Sequence, residues 1–418
     1  MKIISNVMAK IPRKVSPEQR FMLTILLVNA GNYLYNLVLG RMLGPVAFSD
    51  AAILITLLLM LSFVGMTFQI VAAKYAVLYQ DQMLLVFIKW VAKYALILGI
   101  LFGAAIVFWH QQLQGLFHTK TAAMFFIFGI GIPLYFMMSI NRGLYQGQNA
   151  LHKLATTYQT EMASRLVVTI AALLLFPDSA SSVIVALGIV FSFVFGLFPF
   201  QKTIFSAFQH PISTELDRRS IAAFFMLTAF YELTQIIINN SDIVLVKHYF
   251  DSQQAGLYAS LALIGRVVYF VAWMFVMLLL PKVIQMKKDR QDTLPILLKY
   301  VGYISFLSVL IVGFTALFPE LVVNAMFGHA YLSISFLLWK YALATSLFAV
   351  ANIFAYYYLS LDHYVPVVVS AVLGTTQIGL IMRYHASLEQ VVHMQIIAMV
   401  VLLFFQLCYF FYKNKKIK

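Results

Sequence analysis

Residues 21–42 read FMLTILLVNAGNYLYNLVLGRM, with a single charge, Arg41, near the far end. About 20 apolar residues in helical conformation cross the hydrocarbon of a bilayer, so this stretch predicts a transmembrane helix. Ser16, Pro17 and Gln19 ahead of it supply a helix start: Ser as N-cap, Pro at the first helical position, Gln three residues after the cap. Basic residues precede it as in a signal peptide, but the span is too long and too rich in Asn for a cleaved apolar segment. It reads as retained.

The same pattern recurs along the chain. Of 418 residues, 62% are hydrophobic and 11% charged, against about 25% charged in soluble domains. That composition excludes an ordinary soluble enzyme. Spans are predicted at 21–42, 50–73, 87–109, 121–140, 154–176, 182–200, 220–242, 256–280, 295–318, 331–357, 364–382 and 391–412, an all-α polytopic membrane protein of 12 transmembrane helices. With Cys408 alone, no intrachain disulfide forms and no cysteine-based metal cluster is expected.

The formal charge of +14 sorts by side. With both termini on one face, that face receives 22 of the 29 basic residues, among them Lys2, Lys10, Arg13, Lys14, Arg142, Lys282 and Lys288. The other face receives Arg41, Lys120, Lys247 and Arg383. The positive-inside rule then makes both termini cytoplasmic, and no nucleic-acid partner is needed to explain the charge.

Gln209 to Ser220, with His210, Pro211, Glu215, Asp217, Arg218 and Arg219, is the longest polar connection near the middle. It predicts a cytoplasmic N-terminal segment (1–20), a six-helix bundle (21–208), a cytoplasmic linker (209–219), a second six-helix bundle (220–412) and a basic tail (413–418). The halves resemble each other. Asn36 to Arg41 aligns with Asp242 to Lys247 at a shift of 206, and Leu144 to Asn149 with Tyr357 to Asp362 at a shift of 213. A duplicated unit of even span number inserts twice in one orientation, related by an axis along the membrane normal.

Ionisable residues inside a membrane are costly and mark function by default. Arg165, Glu232, Arg266 and Lys340 lie roughly 14–18 Å into their predicted spans at about 1.5 Å per residue. Glu161, one turn before Arg165, shares its helix face. Arg266 and Lys340 have no acidic residue nearby in sequence. Charge from both halves at one level suggests a shared hydrated cavity. Asn29, Asn32 and Asn36 form a polar stripe on the first helix; Glu232, Gln235, Asn239 and Asp242 form one on the seventh. The alternative for these amides is adhesion between neighbouring helices, and for Glu161 and Arg165 a structural ion pair. Gly129, Gly131, Pro133, Gly313 and Gly374 read as close-packing or kink positions. Asp362 and His363 lack a third metal ligand, and no P-loop, dinucleotide-binding turn or Gly-x-Ser-x-Gly motif occurs.

Asn36-Leu-Val-Leu-Gly-Arg-Met-Leu-Gly-Pro-Val-Ala-Phe-Ser49 and Arg142-Gly-Leu-Tyr-Gln-Gly-Gln-Asn149 resemble turns of the polysaccharide transporters in the multidrug, oligosaccharidyl-lipid and polysaccharide (MOP) exporter superfamily. The resemblance is nearest to Wzx-type O-antigen or capsule repeat-unit flippases. Lipid II flippases of this superfamily usually carry 14 spans, and its drug antiporters often place a carboxylate in the first helix, where this chain has only Asn.

The resemblance implies two bundles around a central cavity in the bacterial inner membrane. It also implies transport of undecaprenyl-diphosphate-linked oligosaccharide to the periplasmic leaflet, beside a polysaccharide polymerase and a chain-length regulator. Arg165, Arg266 and Lys340 would attract the diphosphate; Asn29, Asn32, Asn36, Gln235 and Asn239 would bind sugar hydroxyls. Glu161 and Glu232 would couple to H+ or Na+, with no cofactor and no catalytic residue. The rivals are a cation-coupled drug or metabolite exporter of the same architecture and a membrane glycosyltransferase or polymerase acting on lipid-linked sugars.

Overall fold

Gly44 and Pro45 divide the first long run of helix. In the computed structural model, residues 17–78 are helical except at Gly44, whose φ of 67° and ψ of 172° leave α1 (17–43) and α2 (45–78) on either side. A residue before proline is pushed to an extended ψ, and the positive φ admits glycine almost alone. The Leu-Gly-Pro of the quoted stretch is therefore the breaker between the first two expected spans.

The structure describes residues 17–177, 180–209, 216–269, 289–361, 363 and 365–415, together with 272, 279, 283, 286 and 287. Lys2, Lys10, Arg13, Lys14, Ser16, His210, Pro211, Glu215, Lys282, Lys288, Asp362, Lys416 and Lys418 lie outside the described residues, as does most of the far half of the span expected at 256–280.

The described residues are helical, with no strand among them. The helices after α2 are α3 (Asp81–Phe108), α4 (His110–Phe117), α5 (Ala123–Gly147), α6 (Leu151–Leu175), α7 (Ser181–Gly196), α8 (Lys202–Gln209), α9 (Arg218–Tyr249) and α10 (Ser252–Gly265). There follow α11 (Leu294–Leu317), α12 (Pro319–Met326), a 3-10 segment (His329–Leu337), α13 (Leu338–Ser360), α14 (Val365–Arg383) and α15 (Leu388–Lys415). Every expected span overlaps one of these helices. Among the described residues, 8 helical segments are long and apolar enough to cross a membrane, and one of them contains both α1 and α2. The chain is a multi-pass membrane protein.

Packing divides the chain into two units. The first holds the described residues of Met1–Asn36, Leu61–Gly115 and Lys120–Glu232. Here α3 and α5 approach backbone to backbone: a Cβ on Gly103 would lie 2.5 Å from the Gly129 carbonyl oxygen, and one on Gly129 would lie 2.8 Å from that of Gly103. The expected close-packing role of Gly129 is realised against α3. Phe68, Phe128, Phe136 and Phe193 fill the interior behind this contact.

The second unit holds Leu37–Met60, Leu116–Thr119 and the described residues of Leu233–Lys418. The packing units and the sequence halves 21–208 and 220–412 are thus divided differently: the α1–α2 junction packs in the second unit. Its reasons are local. A Cβ on Gly40 would strike the Phe327 ring, and one on Gly256 would strike the Pro45 carbonyl. Tyr331 donates its hydroxyl to the Gly40 carbonyl at 2.8 Å. Arg41 donates to the carbonyls of Asn324, Ala325 and Met326, capping the C-terminal end of α12, where unpaired carbonyls favour a cation. Ile238, Phe348, Ala351, Ala398, Met399 and Leu402 form an apolar cluster deeper in this unit. Gly374 backs onto Ile238; Gly313 faces open space and has no packing role.

Candidate functional site

The first unit buries three charges together. Glu161 and Arg165 project from the same face of α6 and form the expected i,i+4 pair. A second guanidinium reaches the same carboxylate from α5: Arg142 Nη2 lies 2.6 Å from Glu161 Oε2. Arg142 is 5% exposed and Arg165 is 9% exposed. Arg142 also donates to Thr157 Oγ1 and the Thr157 carbonyl, both at 3.1 Å, and its guanidinium stands 3.9 Å from the Tyr158 ring centroid. Arg165 Nε donates to Ser192 Oγ at 3.3 Å. Two guanidiniums and one carboxylate leave one net positive charge. A buried charge in excess of its partners is expensive, and an anion is what would relieve it.

Arg142 is a helix residue, where the motif it belongs to resembles a turn. The helix continues past residue 140 to Gly147, so Arg142 lies within α5 and not in the cytoplasmic turn.

The second unit buries charge in balanced pairs. Arg266 Nη2 lies 2.7 Å from Asp242 Oδ1, and Tyr258 and Tyr341 donate their hydroxyls to the other oxygen at 3.1 and 2.7 Å. Arg266 has no acidic residue nearby in sequence, but it has one in space: the partner is on α9, 24 positions earlier. Arg266 stands where α10 ends, and Thr345 donates to the Gly265 carbonyl at 2.7 Å, one way in which a broken membrane helix is kept satisfied. A second pair joins Lys247 Nζ to Asp50 Oδ1 at 2.8 Å, with Ser49 and Ser252 also accepting from the ammonium. Lys247 is 2% exposed, so its ammonium is enclosed in the last turn of α9.

Lys340 finds a partner that is distant in sequence. The α-helix begins only at Leu338, after the 3-10 segment, which places Lys340 in its first turn. Its ammonium meets Glu389 Oε1 at 2.5 Å, in the first turn of α15, with His393 at 3.3 Å. A residue paired with the start of the last helix lies near a bundle end.

The amide stripes are partly folded onto their own helices. Asn36 donates to the Asn32 carbonyl at 2.9 Å, and Asn239 to the Gln235 carbonyl at 2.8 Å. These i,i−4 bonds run along one helix and not between neighbours, as the alternative of adhesion between helices would have it. Asn29 is exposed, Asn32 is half-buried, and Glu232 is half-buried with neither an ion pair nor a side-chain hydrogen bond. Gln235 is buried with its Oε1 unpaired.

Asn239, Asp242 and Arg266 come together in a pocket of the second unit of about 30 Å³, with Thr345, Gln377 and Gln395 completing its polar lining. Gln377 and Gln395, from α14 and α15, were not legible as site residues. The one signal was an amide inside an otherwise apolar helix.

These features define a polytopic helical fold with separate buried polar groups in each packing unit, the fold of the MATE and MurJ transporters. An inward-facing multidrug resistance MATE family transporter of the MOP superfamily superposes with a TM-score of 0.72 at 11% identity, covering 93% of this chain and 96% of that one. The lipid II flippase MurJ, in an inward closed conformation, superposes with a TM-score of 0.74 at 13% identity, covering 93% of this chain and 87% of that one. No family profile matches the sequence, and no curated protein matches it.

Proposed function

We propose that this protein is a flippase that carries an undecaprenyl-diphosphate-linked oligosaccharide from the cytoplasmic to the periplasmic leaflet of a bacterial inner membrane, with both termini cytoplasmic. The observation that carries the reading is the buried net positive charge of Arg142, Glu161 and Arg165 within this fold. A diphosphate cannot cross hydrocarbon unpaired; two guanidiniums offer it charge-assisted hydrogen bonds. A cationic drug would meet repulsion at the same place.

In this reading Arg142 and Arg165 hold the diphosphate, Glu161 orients them, and Asn29, Asn32 and Asn36 offer hydrogen bonds to sugar hydroxyls. Arg266 and Lys340, each already paired with a carboxylate, are secondary contacts. The polyprenyl tail stays in membrane lipid while the transporter alternates between states open to either side. An inside-negative potential favours outward movement of an anion by about 2.3 kcal/mol per charge per 100 mV. A polysaccharide polymerase and a chain-length regulator would receive the product. The unpaired carboxyl of Glu232 supports coupling to H+ or Na+. The same carboxyl favours the second reading, a cation-coupled exporter.

Deletion of the gene tests the choice. A flippase deletion accumulates the lipid-linked repeat unit on the cytoplasmic leaflet, and wild type clears it while Arg142→Gln, which keeps the balanced Glu161–Arg165 pair, does not. A deletion that leaves surface polysaccharide intact and sensitises cells to cationic drugs selects the exporter.

A further inference from the structure

The pocket of the second unit has a chemistry opposite to that of the Arg142 cluster. Its carboxylate is fully engaged: Arg266 holds one oxygen of Asp242, and Tyr258 and Tyr341 hold the other. No net charge remains to attract an ion of either sign. What the pocket offers instead is amide and hydroxyl groups with unused capacity. Gln395 lines it while 5% exposed, and its buried Oε1 has no partner. Gln377 is 1% exposed, and its amide nitrogen reaches Ser241 Oγ only at 3.4 Å and the Ile238 carbonyl at 3.5 Å, beyond the usual range for such bonds. Asn239, half-buried, spends its NH2 on the Gln235 carbonyl and turns to the same pocket.

Buried amides without partners destabilise a fold and are rare. One such amide oxygen, on Gln395, beside a second amide held only by long bonds, on Gln377, needs a reason other than folding. We infer that this pocket binds an uncharged, hydroxyl-bearing group, the edge of a sugar ring, through Gln395, Gln377 and Asn239. A hydroxyl both donates and accepts, and so satisfies an amide oxygen and an amide NH2 in turn. Its volume of about 30 Å³ holds roughly two groups of water size, since one needs about 10–15 Å³. That matches two hydroxyls of one ring edge. This inference rests on the flippase reading and assigns sugar recognition to residues apart from those that hold the phosphates.

The test is binding of two lipids to the purified full-length protein in nanodiscs. One is undecaprenyl diphosphate, which has no sugar; the other is the lipid-linked oligosaccharide extracted from cells lacking the gene. In Gln395→Met and Gln377→Met, affinity for the sugar-bearing lipid should fall about tenfold or more, while affinity for undecaprenyl diphosphate stays within about twofold. The melting temperature of Gln395→Met should not fall, because its amide oxygen has no partner to lose. Unchanged affinity for the sugar-bearing lipid overturns the inference. An equal loss for both lipids, or a fall in melting temperature that accompanies it, also overturns it and makes the glutamines structural. If wild type binds undecaprenyl diphosphate with no gain from the sugar, the flippase reading survives and the sugar pocket does not; if wild type binds neither lipid, both fail.

Discussion

Arg142 and Glu161, 19 positions apart in sequence, meet at 2.6 Å, and Arg165 takes the other oxygen of the same carboxylate. One acid thus serves two guanidiniums from two helices. Charge balance predicts an order of stabilities. Glu161→Gln leaves two buried guanidiniums facing each other and should cost about 3–5 kcal/mol. Arg142→Gln leaves the balanced Glu161–Arg165 pair and should cost clearly less. Thermal melting of the purified variants reads the order directly, and a less stable Arg142→Gln would contradict it.

Asp50 and Lys247 are the second case of dependence on a partner. Both side chains are almost fully buried. Asp50→Asn or Lys247→Met alone should each cost about 3–5 kcal/mol, because the surviving charge loses its counterpart. The double variant should recover most of that loss, giving a strongly non-additive double-mutant cycle. Additive costs would mean that the pair contributes nothing as a pair.

Three glycines separate conformation from space. Gly44→Ala should cost about 1–3 kcal/mol through its backbone angle alone, since no atom lies within 4 Å of where its Cβ would be. Gly256→Ala should cost a similar amount by collision with the Pro45 backbone. Gly313→Ala, in the interior of α11 and facing open space, should gain up to about 1 kcal/mol from helix propensity. Melting curves of the three variants check all of this at once.

Lys340 lies at a partly exposed ion pair with Glu389, and such pairs add little to stability. Lys340→Gln should leave the melting temperature unchanged and should reduce transport far less than Arg165→Gln. Transport abolished by Lys340→Gln alone would return this residue to the centre of substrate binding.

The helices were legible because membrane helices announce themselves by composition: every expected span overlaps a described helix, and Glu161–Arg165 followed from spacing on one face. Partners on other helices were not legible. Asp242 for Arg266, Asp50 for Lys247 and Arg142 for Glu161 are tertiary pairings, and local sequence holds no record of which distant helix will face which. Apolar character ends near residue 140, which makes Arg142 read as a turn residue, while the helix itself runs on to Gly147. The Glu389 partner of Lys340, 49 positions later on α15, is likewise tertiary and leaves no trace in the sequence around Lys340. Glu161 and Arg165 were read as both a pair and a site; the third charge turns that pair into a cluster with net charge.

The central claim is that the cargo is an anionic lipid, held at the cluster of Arg142, Glu161 and Arg165. Purified protein in sealed proteoliposomes tests it most directly, with transbilayer movement of a fluorescent undecaprenyl-diphosphate-linked oligosaccharide measured beside uptake of a cationic dye. Wild type should move the lipid and not the dye, and Arg142→Gln, which keeps the balanced Glu161–Arg165 pair, should stop the lipid while remaining folded. Movement of the dye without the lipid, or lipid movement at the wild-type rate in Arg142→Gln, would contradict the account.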